Sequence, residues 1–97
     1  MEFEDEYQQQ DWKKVVSLFT EIQDEAMMEK LLCLFLTLNE RSYFVDRYRI
    51  IQALLEGKLP QRKIAEQVGV SIATITAGSN ELKRTSKELK QKLRESL

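Results

Sequence analysis

The sequence has no histidine, one cysteine, one proline and three glycines among 97 residues. Without histidine, neither a Ser–His nor a Cys–His catalytic pair can form. The lone Cys33 cannot close an intramolecular disulfide or build a zinc site alone, and its place in an apolar run predicts a small buried side chain. The scarcity of proline and glycine beside 32% charged residues favours helices over strands. No metal site is expected.

No segment has the pattern of a signal peptide or a membrane span. The N-terminus is acidic rather than basic, and the longest apolar run covers only residues 31–36. The chain is therefore expected to be cytoplasmic. Its length predicts one small helical domain over residues 11–97, preceded by an acidic, mobile arm over residues 1–10.

The net charge of −1 conceals a strong asymmetry along the chain. Residues 1–40 contain 3 basic against 10 acidic side chains, a net charge of −7, whereas residues 41–97 contain 12 against 6, a net charge of +6. Local positive potential, rather than a high overall pI, is what a nucleic-acid surface requires. The second half is therefore the candidate for contact with nucleic acid.

Residues 60–84 have the pattern of a helix-turn-helix. Pro60 suits the start of a first helix, Gly69 suits a left-handed turn, and Ser71 can cap a second helix. Ala65 is small enough to let the two helices cross closely. Three apolar side chains are expected to form the buried stripe of the second helix, and short or hydroxylic ones to face outward, where they could approach base edges. The predicted stripe is Ile72, Ile75 and Leu82, and the predicted outward face is Ala73, Thr74, Thr76, Ala77 and Asn80.

The other segments predict further helices. One should begin near Asp11, with Trp12 and Phe19 in its core face, and another should span residues 27–36. The second is apolar on every side and must be buried all round, which a domain of this size achieves most easily as a homodimer. Capping boxes at residues 37–40 and 85–88 indicate two more helix starts, and Gly57 should end the first of these helices.

The stretch RIIQALLEGKLPQRKIAEQVGVSIATITAGSNELK, with LTLNER upstream, resembles the tryptophan repressor family. The most specific part is Ile72 to Lys83, and the similarity runs without gaps from about Leu32 to the C-terminus. The resemblance implies an all-α chain of six helices in an intertwined homodimer that binds double-stranded operator DNA when L-tryptophan is bound as corepressor. By matching position it implies DNA contacts at Gln61, Arg62, Ile72, Ala73, Thr74 and Thr76.

For L-tryptophan the same resemblance implies a pocket with parts from both subunits. Arg47 would stack on the indole ring, the carbonyl groups of Leu34 and Leu36 would receive the amino group across the dimer, and Thr37 would approach the carboxylate. Arg47 could instead be a surface charge near Asp46, and Thr37 could serve mainly as a helix cap. The implied ligand-binding residues are Leu34, Leu36, Thr37, Arg47, Ile51, Gly78 and Glu81.

Three positions depart from the family pattern. Ala65 stands in place of a lysine, which removes one polar DNA contact. Ala77 stands in place of the arginine that covers the other indole face, and Glu81 stands in place of a serine near the amino group. The last two changes favour positive over negative groups on a ligand. They predict weaker L-tryptophan binding than the family norm, or preference for an indole without a carboxylate.

Other functions remain as alternatives. The nearest is a ligand-independent DNA-binding regulator on the same fold, or one gated by a different indole. A helical adaptor that docks partners on residues 31–36 would leave Gly69, Ser71 and the basic half unexplained. An enzyme is least favoured, because no nucleophile–base pair, metal cluster or phosphate loop is visible.

Overall fold

The structure is a computed structural model that describes residues 5–96, and this part of the chain consists of six α-helices without a strand. It confirms the expected all-α, six-helix chain. The helices are α1 (Glu6–Glu21), α2 (Glu25–Phe35), α3 (Leu38–Glu56), α4 (Gln61–Val68), α5 (Ile72–Lys83) and α6 (Lys87–Glu95).

The chain divides into two compact units, one ending at Leu38 and the other beginning at Asn39. In the first unit, the Asp5 carboxylate caps α1 by accepting the N–H of Tyr7 at 2.8 Å. The predicted helix start near Asp11 is therefore wrong by five residues, because Asp5 supplies the N-cap that satisfies the first turn. Residues 6–10 of the predicted arm are helical, and residues 1–4 lie outside the described part.

The helices of the first unit have no fully buried residue. Phe19 and Phe35 pack with ring centroids 6.1 Å apart, which is the aromatic contact joining α1 to α2. Cys33 is exposed, and Trp12 is 39% exposed, so the predictions that both are buried are wrong for the single chain. A single chain thus leaves Cys33, Leu34 and Phe35 of α2 exposed.

The second unit contains the core. Ile50 of α3, Ile64 and Ala65 of α4 and Ile75 of α5 are all buried and form one cluster. Four partly buried side chains pack around them: Ala53, Leu54, Val68 and Val70. Burial of α3, α4 and α5 against one another therefore fixes the position of the helix-turn-helix.

Local signals set the ends of the helices in this unit. Gly57 follows α3 with φ +66°, the left-handed conformation predicted for it. Ser86, rather than Thr85, caps α6, since the Ser86 hydroxyl accepts the N–H of Leu89 at 3.2 Å. The predicted capping box at residues 85–88 is therefore displaced by one residue, and Leu97 lies outside the described part.

Within residues 5–96, none of the helices combines the length and the apolar character needed to cross a membrane.

Candidate nucleic-acid interface and ligand pocket

The turn between α4 and α5 has the predicted geometry. Gly69 has φ +83°, and the N–H groups of Gly69 and Val70 both donate to the carbonyl of Ala65, at 2.9 and 3.1 Å. Two residues later the Ser71 hydroxyl accepts the N–H of Thr74 at 3.2 Å. Residues of the turn thus form hydrogen bonds at both the end of α4 and the start of α5.

Ala65 lies at the crossing of the two helices. It is 8% exposed and belongs to the same core cluster as Ile64 of α4 and Ile75 of α5. A methyl side chain here leaves room for α5 to approach α4, which agrees with the predicted role of a small residue. The crossing therefore fixes which face of α5 remains outside.

The predicted DNA-contacting residues occupy the start of α4 and the start of α5. Ile72 is 53% exposed, so its assignment to the buried stripe is wrong. Its position at the first turn of α5 places it ahead of the core contact, which Ile75 makes instead. Among the six, Arg62, Ile72, Ala73 and Thr76 are exposed, and Gln61 and Thr74 are half-buried.

Two threonine hydroxyls on this face have partners within the protein. The Thr76 hydroxyl donates to Oε1 of Gln61 at 3.0 Å and also lies 3.1 Å from the carbonyl of Ile72. The Thr74 hydroxyl lies 2.9 Å from the hydroxyl of Ser71. The face predicted to meet DNA is thus cross-connected between α4 and α5.

A pocket of about 140 Å³ lies within the second unit, between α3, α5 and α6. Four of the predicted ligand-binding residues line it: Arg47 and Ile51 of α3, and Gly78 and Glu81 of α5. Gly78 is buried in α5 and borders the pocket through its backbone. The predicted intrachain part of the site is therefore brought together.

Four further residues of the pocket were not among the predicted site residues: Leu82, Thr85, Leu89 and Leu93. Leu89 and Leu93 are four residues apart on α6 and share one face. Their spacing was a readable signal of an apolar helix face, but it gave no indication of which cavity that face would close. The pocket is largely aliphatic as a result.

Glu81 brings negative charge to this pocket. Its carboxylate forms an ion pair with Arg84 on the next turn, and the Thr85 hydroxyl donates to its backbone carbonyl at 2.8 Å. Ala77, the residue before Gly78, is exposed and offers no cation. Among residues 5–96, the charged groups that line the pocket are thus the guanidinium of Arg47 and the carboxylate of Glu81.

The remaining three predicted ligand-binding residues belong to the first unit. Leu34 lies in the last turn of α2 and is 78% exposed. Leu36 is half-buried and is the C-cap of α2, its N–H donating to the carbonyl of Leu32 at 2.9 Å. Thr37 is exposed and directly precedes α3. Their part in ligand binding stays a prediction.

Within residues 5–96, no group of three or more histidine, cysteine, aspartate or glutamate side chains is placed to hold a metal ion.

Fold and site together define a small all-helical protein with a helix-turn-helix and an aliphatic pocket beside its second helix. The family model described as Trp repressor protein matches residues 10–97. A Trp operon repressor homolog of Chlamydia trachomatis serovar D is 45% identical over 86 residues, which cover 89% of this chain and 92% of that protein. One from Vibrio parahaemolyticus is 44% identical over 94 residues, covering 97% and 89%, respectively.

The chain therefore belongs to the Trp repressor family. The name describes regulators of transcription rather than enzymes.

Proposed function

We propose that this protein is a sequence-specific DNA-binding transcriptional repressor of tryptophan metabolism genes in the cytoplasm, activated for operator binding by L-tryptophan. The relatives named above are Trp operon repressor homologs, which supports the regulatory class. The finer steps, DNA contact and ligand gating, rest on the geometry of α4, α5 and the adjoining pocket.

One observation carries the proposal: α5 contributes both to the face predicted to meet DNA and to the pocket. Ile72 and Thr76 are exposed at its start, while Gly78 and Glu81 line the pocket further along the same helix. A ligand held against Gly78 would therefore bear directly on the helix that enters the major groove. Favouring one orientation of α5 changes DNA affinity by the difference in ligand affinity between the two orientations.

The DNA-contacting groups follow from the same geometry. Arg62, exposed in the first turn of α4, would meet a phosphate group. The exposed side chain of Ile72 and the methyl group of Ala73 would face base edges, where apolar groups contact thymine methyl groups. The residues proposed to form the DNA-facing surface are Gln61, Arg62, Ile72, Ala73, Thr74 and Thr76.

In the pocket, the Arg47 guanidinium would stack on the indole ring of L-tryptophan, with Ile51 and Gly78 against the ring. The carbonyl groups of Leu34 and Leu36 from a second copy of the chain would receive the amino group, and the Thr37 hydroxyl would approach the carboxylate. Glu81 would lie near the amino group of the ligand.

A homodimer is supported by the apolar surface that a single chain leaves exposed. Leu34 and Leu38 are 78% and 74% exposed, and Phe35, Tyr43 and Phe44 are each more than half exposed. Large apolar side chains left exposed in each unit are typical of surfaces that a partner covers. Sedimentation equilibrium should give twice the single-chain mass of 11.4 kDa, and the single-chain mass at micromolar concentration would contradict the dimer.

The direct test of the function is binding to a palindromic tryptophan-type operator, measured by mobility shift at fixed near-physiological salt with and without L-tryptophan. A duplex of the same composition in scrambled order is the control for sequence specificity. Tighter operator binding with the amino acid is the expected result. No preference for the operator over the scrambled duplex in either condition would overturn the DNA-binding function itself.

A second candidate function is DNA binding that is controlled by a different effector or by none. The observation that favours it is the Glu81 carboxylate at a pocket where Ala77 provides no cation. In that case the effector is an indole without a carboxylate, or there is none. Operator binding that responds to tryptamine but not to L-tryptophan would establish the first form, and binding indifferent to both would establish the second.

A further inference from the structure

The helix-turn-helix contains a side-chain hydrogen bond between residues far apart in sequence. The Thr76 hydroxyl, in the second turn of α5, donates to Oε1 of Gln61, the first residue of α4, at 3.0 Å. Gln61 is half-buried at the place where α4 begins. The bond therefore spans the two helices next to the surface proposed for DNA.

This bond engages the oxygen of the Gln61 amide and not its NH₂ group. A glutamine side chain has one acceptor oxygen and an NH₂ group with two donor hydrogens. When the oxygen accepts from Thr76, the NH₂ group is the part that remains for an outside partner. A side chain that is already held by one hydrogen bond also loses less conformational freedom on binding than an unrestrained side chain.

The single hydroxyl hydrogen of Thr76 has acceptors within the protein, because both Gln61 Oε1 and the Ile72 carbonyl lie within 3.1 Å. A hydroxyl whose hydrogen is donated internally cannot also donate it to DNA. Thr76 is thus better placed to orient a neighbour than to supply a donor itself.

We propose that Thr76 is a positioning residue that holds the Gln61 side chain so that its NH₂ group donates to an acceptor on DNA. The acceptor is a phosphate oxygen or the O6 and N7 atoms of guanine in the major groove. This inference rests on the proposed DNA binding and assigns different roles to two residues of the same face.

A double-mutant cycle on the full-length protein tests this assignment. Thr76→Val replaces the hydroxyl by a methyl group at equal shape, Gln61→Met removes the amide at similar length, and the double variant combines them. Affinity is measured by fluorescence anisotropy on the operator and the scrambled duplex. Thr20→Val is the matched control, since the Thr20 hydroxyl also donates to a backbone carbonyl, that of Ser17 at 2.8 Å.

Thr76→Val is expected to weaken DNA binding about 2- to 10-fold, the range of one net hydrogen bond. It should cause no further loss in the Gln61→Met background, because the group it positions is already absent. Thr76→Ser should restore wild-type affinity, Thr20→Val should leave it unchanged, and all variants should melt as the wild type does. Equal loss on both duplexes identifies a phosphate acceptor, and loss on the operator alone identifies guanine.

Two results would overturn the proposal. If Thr76→Val weakened binding by the same factor with and without the Gln61 amide, Thr76 would be contacting DNA itself. If Thr76→Val had no effect while Gln61→Met did, the hydrogen bond would have no role in binding. Failure of the wild-type protein to bind either duplex is a separate outcome, which removes the DNA-binding function as well.

Discussion

Gly78 of α5 packs directly against Ile50 of α3. A Cβ atom at residue 78 would lie 3.1 Å from Cγ2 of Ile50 and 3.6 Å from Cδ1 of Leu54. The first distance is shorter than ordinary van der Waals contact, and Ile50 is fully buried and has little room to move. Close approach of α3 and α5 therefore favours glycine over larger residues at this position.

Substitutions at Gly78 test how closely α3 and α5 pack. Gly78→Val is expected to lower the free energy of unfolding by about 1–3 kcal/mol through overpacking. In Gly78→Ala, a gain of about 1 kcal/mol in helix propensity offsets part of the strain, so stability should change little. Urea denaturation measures both. A Gly78→Val midpoint equal to that of the wild type would contradict the contact.

Gly69 is constrained by its backbone rather than by its surroundings. Its φ of +83° is left-handed, and a Cβ atom there would meet nothing within 4 Å. Gly69→Ala should therefore cost about 1–2 kcal/mol of unfolding free energy from conformation alone, and the branched Gly69→Val more. Gly69→Asn is the control, since asparagine tolerates this conformation better. Thermal melts in which all three variants match the wild type would show that the turn is not left-handed in solution.

Ile75 and Ile72 lie three residues apart on α5 but have opposite environments, 0% and 53% exposed. Ile75→Ala should cost about 2–5 kcal/mol in stability, as other large-to-small core substitutions do. Ile72→Ala should change stability by less than about 0.5 kcal/mol. It should instead reduce operator discrimination by roughly 1–3 kcal/mol. Chemical denaturation and operator-versus-scrambled binding measure the two effects, and a destabilising Ile72→Ala would place Ile72 in the core after all.

These two isoleucines also show which features of the helix-turn-helix could be predicted from the sequence. The turn was predictable because Gly69 and Ser71 each satisfy a local backbone requirement that few residues meet. The buried stripe of α5 was only partly predictable, because helical spacing alone does not distinguish a first-turn residue from one a turn later. Which of Ile72 and Ile75 enters the core depends on where α3 and α4 lie, and that is a tertiary property.

The pocket was likewise not predictable from local patterns, because it depends on tertiary packing. Arg47, Ile51, Gly78 and Glu81 were expected together only because the sequence resembles a known family, since α3 and α5 are separated by a helix and a turn. The start of α1 had a local signal, because aspartate is a common N-cap residue. Asp5 was instead counted with its acidic neighbours as part of an arm, since only the composition of that segment was considered. Closure of the pocket by Leu89 and Leu93 depends on long-range packing.

Arg62 is exposed in the first turn of α4, in the half of the chain that carries the net positive charge. If it contacts a phosphate, Arg62→Ala should weaken binding to operator and scrambled DNA by the same factor. It should also reduce the slope of log affinity against log salt by about 0.9. Lys92→Ala on α6 is the charge-matched control and should leave the slope unchanged. A changed preference between sequences with an intact salt slope would show that Arg62 reads a base instead.

Glu81 should determine how the pocket discriminates between charged ligands. Its carboxylate attracts an ammonium group and repels a carboxylate, and pairing with Arg84 keeps that cation from a ligand carboxylate. Glu81→Gln removes the charge at equal shape and releases Arg84. The ratio of the Kd for tryptamine to the Kd for L-tryptophan should therefore rise roughly 2- to 5-fold, since the Glu81 side chain is 62% exposed and solvent screens its charge.

Isothermal titration calorimetry with both ligands on the wild type and on Glu81→Gln measures that ratio directly. Glu66→Gln is the matched control, because Glu66 has a similar exposure and also pairs with a cation three residues away, but does not line the pocket. Added salt should reduce the effect, as it does for exposed charges. A ratio that is identical in wild type and Glu81→Gln would mean that the ligand's charged groups lie beyond the reach of this carboxylate. Ligand choice would then depend on Arg47 and the aliphatic walls of the pocket.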